Sequence, residues 1–270
     1  MAVSQIHFRS ISLPSRLHPI NPTNFEAELQ KLKSCLSKNV AITSETIQSG
    51  LLGLAELYNS VDQLQIHQDG KSIEDSIDGS DQLLDSCSTI RELVQMIREN
   101  VQSLQSAFRR KGQDSSIQND INSYFCLRKK MNKCISKSLK TLKNLENKNG
   151  SNISLSEVII AIFKLTIAMF KCTLVFLSLP AGKSGGWNLV SRLMITKSGD
   201  NSVISEVGCV DSALNALRNE MRSNGVTVQT VQKRLQNVDA MVEGFEGGLD
   251  RLFRQLVQSR VTLLNILTDN

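Results

Sequence analysis

Proline is confined to a few places in this chain. Pro14, Pro19 and Pro22 lie in the opening segment, the fourth proline is Pro180, and the stretches between and beyond contain none. Inside a helix proline removes an amide donor and clashes with the preceding turn, at a cost of roughly 3 kcal/mol, and it is also a frequent turn former. Two long stretches without it favour long helices over many short strands. The aromatic content of 4% agrees, because sheets draw on aromatic pairs. The expected fold class is all-α, an elongated helical bundle with long coiled-coil-like antiparallel helices. Residues 1–22 read as an unstructured arm, residues 23–270 as one bundle domain, and about 180–200 as a flexible loop.

The apolar periodicity places the helices. Thr23-Asn24-Phe25-Glu26 has the form of a capping box, opening a first helix to about Ser37, and a second runs from about Ser44 to Ile66. Asp69-Gly70 and Asp78-Gly79 read as breaks. Leu83, Cys87, Ile90, Val94, Ile97, Val101, Leu104 and Phe108 then alternate in steps of four and three, the signature of one continuous apolar seam. That helix stops at Arg109-Arg110-Lys111-Gly112, with cations at the negative end of its dipole. A fourth helix, capped from Ser115 to Gln118, carries Ile121, Tyr124, Met131, Ile135, Leu142 and Leu145, its seam interrupted by Arg128 and Ser138. A short turn between two long helices implies an antiparallel hairpin. A sixth helix spans roughly Asn201 to Arg222. The last pattern, Val228 to Ile266, predicts a helix of about 40 residues. Gly244, Gly247 and Gly248 interrupt it, marking a kink or a close helix contact.

The fifth helix, capped by Ser154-Leu155-Ser156-Glu157, ends before Pro180 and is the most apolar segment. Residues 158–179 are long enough to span a bilayer. Lys164 and Lys171 within it each cost roughly 2.5–3.5 kcal/mol near a helix centre, against roughly 0.3–0.6 kcal/mol returned per strongly apolar residue. Insertion comes out near balance, so a buried bundle helix and a membrane-associated helix both remain open. The two lysines are seven apart and share a face, as a single wet edge would require.

Charge is mild overall, at +5, but uneven. Residues 101–150 hold eleven Lys and Arg against Asp114, Asp120 and Glu146, a local excess of +8. Lys130, Lys133, Lys137 and Lys140 repeat in steps of three and four away from the Met131/Ile135/Leu142 seam, and Arg109, Arg110 and Lys111 extend the stripe across the turn. Such a stripe is a solvated face or a contact for an anionic surface, meaning lipid headgroups or an acidic protein. Nucleic acid is the weakest reading, for want of stacking aromatics and a recognised fold.

The arm holds one short recognition pattern. Arg9-Ser10-Ile11-Ser12-Leu13-Pro14 matches the R-S-x-S-x-P form bound by 14-3-3 proteins once Ser12 is phosphorylated, a phosphate meeting an arginine cluster. An acid-free arm with serines also suits an organelle transit peptide, so plastid and membrane-associated locations stand beside a cytoplasmic one.

No reaction chemistry emerges. Gly182-Lys183-Ser184 lacks the glycine a phosphate loop needs five positions earlier, where Leu177 stands. His7, His18 and His67 are scattered, and no catalytic constellation forms. Cys35, Cys87, Cys126, Cys134, Cys172 and Cys209 include no CxxC pair and read as reduced thiols of an intracellular protein. Cys126 and Cys134 are about 12 Å apart along a helix, too far to share a metal directly. No catalytic residue, metal or cofactor is expected.

Six blocks carry a resemblance: HFRSISLPSRLHP, DQLLDSCSTIREL, LQSAFRRKG, SYFCLRKKMNKCISKSLKTLK, KSGGWNLVSRLM and GLDRLFRQLVQSRVTLLNIL. In this order the chain resembles the plant BYPASS-related family over essentially its whole length. The resemblance implies an all-helical fold and a link to root and shoot development, without an established activity, cofactor or set of catalytic residues. It suggests a non-enzymatic interaction or signalling scaffold, with a peripheral membrane protein as the alternative and an enzyme of unrecognised type as a distant third.

Overall fold

The computed structural model describes residues 22–36, 42–62, 70–111, 114, 116–149, 157–178, 205–220 and 228–269. They form seven helices: α1 (Pro22–Cys35), α2 (Ser44–Asp62), α3 (Gly70–Lys111), α4 (Ile117–Asn149), α5 (Glu157–Ser178), α6 (Glu206–Glu220) and α7 (Val228–Asp269). The protein is an all-α bundle, as the proline pattern predicts. All eight positions of the α3 seam from Leu83 to Phe108 are buried, and α4 buries Ile121, Tyr124, Met131, Ile135, Leu142 and Leu145. Contacts outside the helices close several ends. The Thr46 amide donates to Thr43 Oγ1 at 3.2 Å before α2, and the Gly208 amide to Ser205 Oγ at 3.0 Å before α6.

The boundaries differ from expectation in instructive places. α1 begins on Pro22, whose fixed φ suits a first helical turn, so Thr23 stands inside the helix instead of capping it. Gly70 does open α3, but the expected break at Asp78-Gly79 is absent: both residues lie within the helix and Gly79 is buried. The reason is tertiary. There α3 lies against α7, and Asp81 is ion-paired with Arg260. α6 opens at Glu206, after Ser205, and the expected limits at Asn201 and Arg222 lie outside the described residues. Ser115, residues 63–69, the Ser154–Ser156 cap and the 179–204 segment, including the expected loop, lie outside the described residues.

Ion pairs fix the directions of the long helices. Asp81 with Arg260, Arg91 with Asp250 (2.5 Å) and Arg98 with Glu246 (2.6 Å) descend on α7 as they ascend on α3, so these two helices of 42 residues each are antiparallel. At 1.5 Å per residue each is about 63 Å long. α2 lies parallel to α7, with Gln48 beside Gly244, Leu51 beside Gly248, and Glu56 paired with Arg251. α4 folds back on α3, α5 packs against α1, α2, α3, α4 and α6, and α6 rests on α7.

The α7 glycines resolve the choice between kink and contact. α7 is one helix throughout. A glycine there costs roughly 1 kcal/mol against Ala, whereas Phe245, Leu249 and Leu252 are fully buried around them and each returns roughly 1.5–3 kcal/mol. A Cβ on Gly244 would meet the Gln48 amide, and one on Gly248 would sit 3.0 Å from Leu51 Cβ; one on Gly247 would meet nothing within 4 Å. The first two let α2 approach, and the third does not. Gly247→Ala is therefore expected to stabilise the protein by about 1 kcal/mol, raising Tm by about 2–4 °C. Gly248→Ala presses on Leu51 and lowers Tm. Thermal denaturation of the two variants checks the contrast.

Candidate functional site

The α4 surface is built by its seam. With Met131, Ile135, Leu139 and Leu142 turned inward, Lys130, Lys133, Lys137 and Lys140 are all exposed, as are Lys129 and Lys143, which the stripe reading did not include. None of these six lysines has an ion-pair partner among the described residues. The acids on α4 are engaged elsewhere: Asp120 holds Lys111 at 2.7 Å and Glu146 holds Lys171 at 2.5 Å. The outer face of α4 is thus cationic with no counter-charge on its own helix. Arg109 and Arg110 are exposed at the neighbouring end of α3. Lys111 departs from the expected stripe, because it is half-buried and bound to Asp120 across the turn. The aromatics of this helix do not join the face. Tyr124 is buried, and Phe125 packs on the core with its ring edge-on to Tyr124.

Beneath this face lies a polar cluster that sequence reading registered only as an interruption. Arg128 occupies a seam position between Tyr124 and Met131 and is buried. Its Nη2 donates to Asp211 Oδ2 at 2.9 Å, its Nε reaches both carboxylate oxygens at 3.1 and 3.2 Å, and its Nη1 donates to the Leu177 carbonyl at 3.0 Å. Tyr124 OH donates to Asp211 Oδ1 at 2.7 Å. One guanidinium therefore joins α4, α6 and the last turn of α5, where it satisfies a terminal carbonyl and meets the negative end of the dipole. Burial and the adjacent Asp211 carboxylate push the Tyr124 hydroxyl well above its ordinary pKa, keeping it a donor. Burial works most strongly against the Arg128 charge, but the Asp211 carboxylate, Tyr124 and the hydrogen bond to Asp211 together outweigh it and the pKa rises. The available signal was an arginine placed on an apolar seam, whose burial demands a carboxylate partner.

α5 is apolar and long enough to cross a membrane, yet its second half is core. Met169, Phe170, Leu174, Phe176 and Leu177 are buried, and Thr166 Oγ1 lies 3.0 Å from Tyr58 OH on α2. The expected single wet edge does not form. Lys164 is exposed, but the Lys171 side chain is only 9% exposed, because the end of α4 covers it and Glu146 supplies its counter-charge.

Cysteines divide by environment. Cys87, Cys126, Cys134, Cys172 and Cys209 are free thiols. Burial pushes Cys87 up to about 12 and Cys172 up to about 11, while Cys126 and Cys134 are exposed on α4. Iodoacetamide at pH 8 should therefore alkylate Cys126 and Cys134 in the folded protein and reach Cys87 and Cys172 only after denaturant is added. Peptide mass mapping reads the difference. Among the described residues no group of three or more His, Cys, Asp or Glu is placed to hold a metal ion. Arg9, Ser10, Ser12 and Pro14, the candidate phospho-regulated arm, lie outside the described residues.

A family model described as Protein BPS1 matches residues 50–266. Five of the six blocks that carry the BYPASS-related resemblance fall in this span, save the final Leu267, and the opening block precedes it. No curated protein and no solved structure matches the chain.

Proposed function

The chain belongs to the BPS1 family, and from that premise we propose that it is a non-enzymatic interaction protein that docks onto anionic membrane surfaces through the outer face of α4. One observation carries this reading: six exposed lysines on one helix, Lys129, Lys130, Lys133, Lys137, Lys140 and Lys143, with both acids of that helix tied to Lys111 and Lys171. A cationic face without local counter-charge is drawn to the negative potential of an acidic leaflet, by about 1 kcal/mol per Lys near the surface. The burial of Tyr124 and the packing of Phe125 favour lipid over nucleic acid, since the face offers no ring for a base to stack on. The packing of α5 within the bundle favours surface docking over spanning.

The test is co-sedimentation of the full chain with vesicles containing phosphatidylserine. The parent binds, and changing Lys130, Lys133, Lys137 and Lys140 to Gln removes binding while leaving the helical content intact. Equal binding by parent and variant would refute the assignment of the face.

A further inference from the structure

The outer face of α3 carries a second charged stripe, of opposite sign. Asp78, Asp85, Glu92 and Glu99 recur every seven residues, and all four are exposed. Seven-residue spacing drifts by only about 20° per step on a straight helix, so the four acids share one sector, facing away from the Leu83/Ile90/Val94/Ile97 seam. None of them has an ion-pair partner among the described residues. Glu99 accepts a hydrogen bond from Gln95 Nε2 at 3.0 Å on its own helix. Asp81, Arg91 and Arg98 of α3 pair with α7 instead, and Lys111 at its end pairs with Asp120 of α4.

The acid stripe and the α4 lysine stripe belong to one hairpin. The Lys111–Asp120 pair fixes the level of the two helices beside the turn. Counting away from it at 1.5 Å per residue, Lys129 to Lys143 run level with roughly residues 88–102 of α3. That stretch carries Glu92 and Glu99 and ends beside Asp85. The stripes measure about 32 Å (Asp78 to Glu99) and about 21 Å (Lys129 to Lys143). Within the chain they do not neutralise one another, since no member of either forms an ion pair with the other.

We infer that a second copy of this chain docks on the hairpin, the α3 acids of each copy facing the α4 lysines of the other. Because the stripes lie at overlapping levels on neighbouring helices, a two-fold axis running along the hairpin sets acid over lysine twice, the self-complementary arrangement of an isologous dimer. Sign and level are the features that single out this occupant. The contact is one of exposed charges, so the dimer is weak and salt-sensitive. The inference rests on the reading above only in sharing the lysine face: copy and membrane compete for it, and anionic vesicles dissociate the dimer.

Sedimentation equilibrium of the full chain tests this. The parent should dimerise at low ionic strength, and the dimer Kd should rise at least about tenfold in about 0.3 M salt, where the Debye length is roughly 6 Å. Asp85→Lys/Glu92→Lys/Glu99→Lys and Lys133→Glu/Lys137→Glu/Lys140→Glu should each be monomeric, with circular dichroism reporting unchanged helix. An equimolar mixture of the two variants should regain the dimer, both stripes being complementary again. A parent that is monomeric at low salt overturns the inference, as does a dimer indifferent to both sets of reversals, or folded variants that do not associate on mixing. The vesicle arm separates the two readings. The α3-reversed variant should lose the dimer and keep binding to phosphatidylserine vesicles. A salt-sensitive dimer in a parent that ignores vesicles would leave the second copy as the occupant and remove the membrane.

Discussion

Asp211→Ala is expected to destabilise the bundle by about 3–5 kcal/mol, a large share of the stability of a typical domain. The substitution leaves the Arg128 guanidinium, whose side chain is 5% exposed, with the Leu177 carbonyl as its remaining partner in the cluster. It also takes the acceptor from Tyr124 OH. An uncompensated buried charge is costly because water cannot reach it, and the neutral carbonyl offsets only part of that penalty. The paired replacement Arg128→Met/Asp211→Leu removes both charges at once and should recover most of the loss, since an apolar pair of similar volume avoids the desolvation of either ion. Urea denaturation of the two single variants and the double variant reads the coupling directly. A loss under about 1 kcal/mol for Asp211→Ala would show that the cluster is not the clasp of α4, α5 and α6.

The second large effect concerns the surface. Changing Lys130, Lys133, Lys137 and Lys140 together to Gln removes four charges, each contributing about 1 kcal/mol at an anionic bilayer. Binding to phosphatidylserine vesicles should fall about a thousandfold, every 1.4 kcal/mol being tenfold. Salt should weaken parent binding in the same sense, because the Debye length is only about 8 Å at physiological ionic strength. Lys111→Gln is the contrasting variant. Its ammonium is held by Asp120, so its removal loosens the α3–α4 turn and leaves vesicle binding nearly unchanged. Equal losses from Lys111→Gln and from a single stripe lysine would indicate general electrostatics instead of a defined face.

The helices were legible because their signal is local and redundant. The α3 seam needs only step lengths of three and four to be read, and the 42-residue α7 emerges from the same rule despite three glycines. Lys130, Lys133, Lys137 and Lys140 were legible for the same reason, since a seam on one side dictates what faces outward. What sequence did not supply was partnership across the bundle. Arg128 and Asp211 are 83 residues apart, and only the meeting of α4 with α6 makes them a pair. Lys171 reads as solvent-facing from its spacing with Lys164, yet Glu146 at the end of α4 makes it a buried cation. Asp78-Gly79 reads as a break from local propensity, and contact with α7 carries the helix through it. Lys111 belongs to a basic run in sequence and to an ion pair in space.

The central claim is that the α4 face, with its own acids engaged elsewhere, docks on anionic membrane. Its most direct test compares the fraction of full-length parent chain that sediments with phosphatidylserine-containing vesicles and with purely zwitterionic ones. Substantial binding to the first is expected, with reversal of that binding by added salt, and little binding to the second. Equal partitioning onto both kinds of vesicle, or retention of the chain on neither, would contradict it.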